Sequence, residues 1–141
     1  MSAAGDQAAS EVGAAVWRLA PFLGADRILD LQRDAEQRAR SHAHQLADLD
    51  DDVAAEAALD LLSALWGTQP PPVDWWRTPL GRAVATVAGH GDERVSKTVA
   101  AAMLGVTPGR VTQLLAAGRL DGHPDGGVTA VSVAQRLRDR A

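Results

Sequence analysis

Three consecutive prolines, Pro70 to Pro72, constrain this chain more than any other feature of its sequence. A proline ring removes a backbone donor and disfavours helical conformation in the residue before it. Any helix that approaches this segment must therefore end before it. We predict an acidic helical region over residues 1–66, a stiff extended linker over 67–73 and a second domain over 74–141.

The charges differ on the two sides of the prolines. Residues 1–72 carry five Arg and twelve Asp or Glu, for a net charge of −7, whereas residues 73–141 carry eight Arg, one Lys and six acidic residues, for a net charge of +3. Such an asymmetry favours different partners for the two parts. A negatively charged region disfavours nucleic acid, and a mildly basic one is compatible with it.

The composition predicts a helix-rich protein with a thin core. The chain has 28 alanines but only four Trp and one Phe, and it has no Tyr. Alanine favours helix and buries little area. We predict an all-α fold with a small β-wing, in which an N-terminal helical hairpin or coiled-coil-like region precedes a C-terminal winged helix-turn-helix.

Several classes of protein are excluded or disfavoured by what the sequence lacks. The chain has no cysteine, which excludes disulfide scaffolds, zinc ribbons and iron–sulfur sites. No apolar run approaches the roughly 20 residues that span a bilayer. His42 and His44 stand two apart on a predicted helix and point to different faces, and no Ser, His and Asp trio is suggested by spacing. We expect no membrane attachment, no metal, no cofactor and no enzymatic activity, in a cytoplasmic protein associated with the nucleoid.

Three helices are predicted in the acidic region, over residues 10–20, 25–49 and 53–66. The second has apolar residues at steps of three and four between charged ones, and this narrow stripe is typical of a coiled-coil seam. We predict that it forms a homodimer or binds a protein partner. The residues predicted to mediate oligomerisation are Ile28, Leu31, Ala35, Leu46 and Leu49.

The four tryptophans are interpreted as packing residues. Trp75 and Trp76 are expected to pack in the core or between the two regions, although they could also form a platform for a ligand. Trp17 and Trp66 are expected to be the large anchors of the N-terminal core, which has few other bulky side chains.

Residues 95–120, VSKTVAAAMLGVTPGRVTQLLAAGRL, predict two short helices joined by a tight turn. Ser96 can cap the first helix, and Gly105 supplies the left-handed residue that ends it. Thr107, followed by a proline at the first helical position, begins a second helix that reaches Ala117. Two helices of two to three turns joined by a three-residue turn that contains glycine form a helix-turn-helix.

This segment resembles the helix-turn-helix of the MerR and excisionase-like superfamily, particularly that of small actinobacterial-type DNA-binding proteins. The residues that carry the resemblance are Ala101 to Val106, Val111 and Ala117 to Leu120. The resemblance covers residues 95–140 and includes a hairpin over 121–130, where the superfamily has its wing. A closing helix over 133–140, capped by Ser132, completes it. The resemblance implies a protein that binds double-stranded DNA.

In such folds the second helix enters the major groove and its first residues reach base edges. The free N–H groups at 107–110 suit a phosphate, and Gly109 permits close approach of the DNA backbone. Arg110 offers a planar fork to guanine or phosphate, and Gln113 can pair with adenine. The residues predicted to contact DNA are Lys97, Thr107, Pro108, Gly109, Arg110, Thr112, Gln113, Arg119 and His123.

The sequence thus predicts a dimeric, sequence-specific transcriptional regulator that places helix 108–117 in the major groove. Two other functions fit the same residues. One is an excisionase-like or partition-type protein that bends or marks DNA. The other is a protein-interaction module, such as an antitoxin, that acts through residues 1–66.

Overall fold

The structure, a computed structural model, describes residues 2–87, 90 and 93–140. Within these residues the chain forms seven α-helices, two 3₁₀ helices and one two-stranded antiparallel sheet, in agreement with a mostly helical fold that carries a small β element. The α-helices are α1 (Ala3–Val16), α2 (Ala25–Gln45), α3 (Asp51–Trp66), α4 (Pro79–Ala85), α5 (Lys97–Leu104), α6 (Pro108–Ala116) and α7 (Ala130–Asp139). The 3₁₀ helices are Trp17–Phe22 and Val73–Arg77, and the strands are β1 (Arg94–Val95) and β2 (Val128–Thr129). Residues 89–92, Gly-His-Gly-Asp, are predicted from the sequence to form a loop, and apart from His90 they lie outside the described residues.

The first helix is longer than predicted at its N-terminal end. The Gly5 N–H donates to Ser2 Oγ at 2.9 Å, so Ser2 caps α1 eight residues before the predicted start at Ser10. Asp50 caps α3 by accepting from the N–H groups of Asp52 and Val53 at 2.9 and 3.4 Å. A capping side chain satisfies amide donors that have no partner inside the helix, which explains why both helices begin where they do.

Helices α1 and α2 form a tightly packed hairpin. Small residues line the contact, with Ala8 and Ala9 buried on α1 and Ala39 and Ala43 buried on α2. Small side chains let two helices approach closely. The apolar stripe of α2 is therefore covered in large part by α1 of the same chain.

The proline segment does not separate the two parts of the molecule. The 3₁₀ helix 73–77 follows it directly and buries Trp75 and Trp76. Trp75 meets Trp66 and Trp76 edge-to-face, with ring centroids 6.0 and 5.1 Å apart. The packing role predicted for Trp75 and Trp76 is confirmed. The prediction that Trp17 anchors the N-terminal core is wrong, because this side chain is 46% exposed.

The C-terminal part packs four short helices and the sheet around a common core. Its largest fully buried side chains are Leu80, Val84, Met103, Val111, Leu114, Val128 and Val133. Strand β1 precedes α5, strand β2 precedes α7, and their pairing joins Arg94 to Thr129 and Val95 to Val128. The predicted cap of the last helix is corrected: Thr129 caps α7 by accepting from the Ser132 N–H at 3.3 Å, and α7 begins at Ala130. Ser132 Oγ accepts instead from the Asp121 N–H at 3.1 Å.

Candidate nucleic-acid interface

Helices α5 and α6 are joined by the predicted turn. The Val99 N–H donates to Ser96 Oγ at 3.1 Å, and Gly105 adopts the left-handed conformation with φ 70° and ψ 33°. The Val106 N–H then donates to the Ala101 carbonyl at 3.0 Å, which closes the turn. The predicted bounds of the first helix, residues 97–104, are those observed.

Helix α6 has one buried face and one exposed face. Val111 and Leu114 are fully buried and hold the helix against the core. Arg110, Thr112 and Gln113 lie on the other side and are exposed. The 3.6-residue period of the helix produces this division, so the polar residues are free to meet a surface outside the chain.

One backbone donor at the start of α6 is already used, and one residue there has no donor. The Arg110 N–H donates to Thr107 Oγ1 at 3.1 Å, and Pro108 has no N–H. The prediction of free N–H groups across 107–110 is therefore corrected at Pro108 and Arg110. Within the described part of the chain no acceptor is found for the N–H groups of Thr107 and Gly109, so these two amides remain for an external anion.

Gly109 is not required by the fold around it. Its φ angle is not positive, and the nearest atom to a Cβ placed there is Thr107 Oγ1 at 3.9 Å. Gly81 and Gly127 differ, since a Cβ at either would lie within 2.5 Å of a backbone oxygen. The open space over Gly109 faces solvent, at the exposed start of α6.

Two of the predicted base-contacting side chains are neighbours. Arg110 Nη1 donates to Gln113 Oε1 at 3.3 Å, and both side chains are exposed. The Thr112 hydroxyl donates to the Pro108 carbonyl at 3.3 Å, so it is partly occupied within the helix. Arg110 and Gln113 thus form a small polar pair on the outer face of the first turns of α6.

A second cation, missed in the sequence, lies beside Lys97. Arg94 on β1 and Lys97 at the start of α5 both line a cleft of about 610 Å³, whose other wall includes Gly126 and Gly127. Arg94 Nη1 donates to the Asp125 carbonyl at 2.6 Å. Its position two residues before the Ser96 cap was the available signal. Only the pairing of β1 with β2 brings Arg94 to the hairpin.

His123 helps to form the hairpin turn. The ring Nδ1 of His123 accepts from the backbone N–H of Asp125 at 3.1 Å. The backbone N–H of His123 donates to the Gly127 carbonyl at 3.1 Å. Gly122 and Val128 form an antiparallel bridge below this turn. The predicted hairpin over 121–130 is therefore present, and the structure gives His123 a role in its conformation.

Arg119 lies away from the start of α6. It follows Gly118, which has a φ of 72°, and shares a surface hollow with Arg136 and Arg140 of the α7 region. The predicted DNA-contacting residues therefore do not all lie together. Thr107, Gly109 and Arg110 lie at the start of α6, whereas Lys97 lies at the start of α5 and Arg119 beyond the end of α6.

The residues predicted to mediate oligomerisation do not form one exposed surface. Ile28 and Leu46 are buried within the chain, with 3% and 6% exposure, and Ala35 is half-buried. Leu31 and Leu49 are exposed. The continuous seam predicted along α2 is corrected accordingly, because α1 and the neighbouring helices cover part of it.

Among residues 2–87, 90 and 93–140, no group of three or more His, Cys, Asp and Glu side chains is placed to hold a metal ion. His42 on α2 instead places its Nε2 3.1 Å from Oδ2 of Asp60 on α3. In the same residues, no helix has both the length and the apolar character needed to cross a bilayer.

Comparison with known proteins identifies no matching protein family, no similar curated protein and no similar solved structure. Arguments about function therefore rest on the residues and contacts described above.

Proposed function

We propose that this chain is a sequence-specific double-stranded DNA-binding protein, a transcriptional regulator that inserts α6 into the major groove. In this proposal α5, α6 and the 121–130 hairpin act as a winged helix-turn-helix. The observation that carries it is the start of α6, where an exposed glycine, needed by neither packing nor backbone conformation, adjoins the Arg110–Gln113 pair.

The arrangement of α6 supports this proposal. A helix that reads a groove needs one face fixed to its own domain and another that is polar and exposed. Val111 and Leu114 provide the first, and Arg110 and Gln113 provide the second. An Arg side chain can donate two hydrogen bonds to guanine, and a Gln side chain can pair with adenine, so both types suit base recognition.

The local charge also supports the proposal. Residues 96–120 contain three basic residues and no acidic residue, although the whole chain has a net charge of −4. Arg94 adds a further cation beside Lys97. Phosphate contacts position a protein on DNA and base contacts specify the sequence, and both kinds of donor are present here.

The test is fluorescence anisotropy of a labelled random-sequence duplex pool with the full-length chain at two salt concentrations. Binding that weakens as salt increases is expected, because cationic side chains displace counterions from phosphates. The bound fraction is then sequenced to obtain a preferred site. Absence of binding at low salt, with the chain folded by circular dichroism, would overturn the proposal.

A further inference from the structure

A cleft of about 640 Å³ lies where the acidic N-terminal part of the chain meets the C-terminal part, and we call it the acidic cleft. One side is formed by residues between Leu46 and Ala55, in the turn from α2 to α3 and at the start of α3. The other side is formed by Thr86 and Val87, just after α4, and by Arg138 of α7. Segments distant in the sequence thus surround one space, and a molecule bound there would contact both parts of the chain.

The lining of the acidic cleft includes a set of apolar side chains. Leu46, Ala54 and Val87 are buried, and Ala55 is half-buried. Leu49 lines the same cleft but is 100% exposed, so its side chain contributes nothing to the core of its own fold. An apolar side chain gains free energy when it leaves water. Leu49 therefore favours a partner that brings an apolar side chain of its own into the cleft.

The negative charge of the N-terminal part is concentrated beside this cleft. Residues 46–66 contain six Asp or Glu and no Lys or Arg, so they account for −6 of the −7 carried by residues 1–72. Three of the six, Asp48, Asp51 and Asp52, line the cleft and are exposed. In the part of the chain that the structure describes, none of these three carboxylates forms an ion pair. They are therefore available to cationic groups of another molecule.

The positive charge inside the cleft is smaller than the negative charge. Arg138 is the cation among the described lining residues, and its Nε donates to the Thr86 carbonyl at 3.0 Å. Carboxylates in the first turn of a helix favour the helix dipole, which accounts in part for Asp51 and Asp52. The dipole does not account for the fully exposed Leu49 between the carboxylates. The combination of apolar lining and excess negative charge indicates a ligand that is both apolar and basic, and it disfavours duplex DNA.

We propose that the acidic cleft binds a basic segment of a partner protein, in which a large apolar side chain lies between Lys or Arg residues. The apolar side chain would pack against the apolar lining, and the basic side chains would meet the three carboxylates. Protein interfaces combine an apolar centre with a polar rim, and opposite charges select the partner and speed association. Helix α6 contributes no described residue to this cleft, so peptide binding and DNA binding can be measured separately.

The test is selection of peptides from a random-sequence library displayed on phage, with the full-length chain immobilised, followed by fluorescence anisotropy of labelled synthetic copies. We expect the recovered peptides to contain Lys or Arg around a Leu, Phe or Trp. Their binding should weaken as salt increases, because salt screens exposed charges. If no peptide with this pattern is recovered, with the chain folded by circular dichroism, the proposal is overturned. A chain that binds such peptides but no duplex would support the cleft and overturn the regulator.

Leu49→Ser tests the apolar part of the cleft. It should weaken binding of the selected peptide about tenfold or more, which is the factor expected when a leucine side chain is buried. The fold should be unchanged, because Leu49 is fully exposed. Leu59→Ser is the matched control, since Leu59 is 46% exposed on α3 and does not line the cleft. Wild-type affinity in Leu49→Ser would overturn the cleft as the binding site.

The double variant Asp51→Asn with Asp52→Asn tests the charged part. It should weaken peptide binding at low salt and have a smaller effect at high salt. The matched control is Asp26→Asn with Asp30→Asn, which also removes two exposed carboxylates, one of them in the first turn of α2 and neither in the cleft. Equal losses in the two double variants would assign the attraction to the net charge of the chain and overturn a specific site.

Two further measurements locate the peptide and test a second copy of the chain as the occupant. Nuclear magnetic resonance of the isotope-labelled chain should show peptide-induced shifts for the amides of residues 46–55 and for Val87, which lies on the other side of the cleft. Shifts that leave both groups unchanged would overturn the proposal. Light scattering is performed on the chain without peptide. A dimer that Leu49→Ser dissociates would assign the cleft to a second copy and likewise overturn the proposal.

Discussion

Gln7 and Thr78 lie 71 residues apart in the sequence and are joined by a 2.8 Å hydrogen bond between Gln7 Nε2 and Thr78 Oγ1. The Leu80 N–H donates to the other end of the same amide, Gln7 Oε1, at 2.8 Å. Thr78 in turn caps α4 by accepting from the Gly81 N–H. One turn further along α1, Glu11 accepts from Trp75 Nε1 at 3.1 Å. Helix α1 thereby holds the start of the C-terminal part across the proline segment.

Gln7→Ala should lower the free energy of unfolding by about 1–3 kcal/mol, because the N–H of the buried Leu80 loses its hydrogen-bond acceptor. Gln37→Ala is the matched control, since Gln37 is exposed on α2 and should change stability little. Urea unfolding followed by circular dichroism measures both. Equal midpoints for the two variants would contradict the role assigned to Gln7.

Gly81→Ala should destabilise the fold strongly. A Cβ at this position would lie 2.1 Å from the Trp75 carbonyl oxygen and 2.7 Å from the Trp76 Cα, both of them backbone atoms of the preceding turn. Overpacking typically costs about 1–3 kcal/mol, and a clash with backbone belongs at the upper end or beyond. Thermal unfolding checks this expectation, and a melting temperature equal to that of wild type would contradict it.

Gly109→Ala should separate stability from DNA binding. Because a Cβ there meets no atom closer than 3.9 Å, folding should be unchanged or favoured by up to about 1 kcal/mol through helix propensity. Affinity for the selected duplex should fall, since the methyl group would occupy the space through which a phosphate approaches. Unfolding and anisotropy are measured on the same preparation. Full affinity would show that the DNA backbone does not approach Gly109.

Arg110→Ala should weaken binding to the selected site by about 1–3 kcal/mol if Arg110 pairs with a guanine. Arg77→Ala is the matched control, because Arg77 is exposed and bonded to Asp74 at 3.3 Å away from α6. Anisotropy is compared on the selected and on scrambled duplexes. The same loss on every duplex would assign Arg110 to phosphate contact instead of base recognition.

Leu46→Ala and Leu31→Ala should differ in their effect on folding. Leu46 is buried, and truncation of a buried leucine lowers the free energy of unfolding by about 2–5 kcal/mol. Leu31 is 44% exposed, so Leu31→Ala should lower the free energy of unfolding much less. Denaturant unfolding measures both variants, and a larger loss of stability for Leu31→Ala than for Leu46→Ala would contradict the burial of the two side chains.

Local signals predicted the second half of the chain well. The caps at Ser96 and Thr107 and the left-handed Gly105 are all observed. A helix cap or a left-handed turn depends on residues within three or four positions of it, so a short stretch of sequence is sufficient to predict it. The cap of α7 was misplaced because Thr and Ser are both residue types that cap helices. Here the two hydroxyls, of Thr129 and Ser132, are hydrogen-bonded to each other.

The first half was predicted less well for the opposite reason. Its periodicity identified helices, and it identified an apolar stripe on α2, but periodicity does not say what covers a stripe. Ile28, which was assigned to an intermolecular seam, is buried within the chain, and Trp17, which was assigned to the core, is exposed. Alanine-rich helices can pack in several registers with similar burial, so their partners depend on contacts elsewhere.

By itself, the sequence determined the helical class, the positions of the turns and the polar outer face of α6, because each depends on residues close together in the chain. The tertiary structure alone decided that Gln7 and Glu11 hold the C-terminal part, and that Arg94 and Lys97 line one cleft. Each of these depends on burial and hydrogen bonding between segments distant in sequence, which no local pattern specifies.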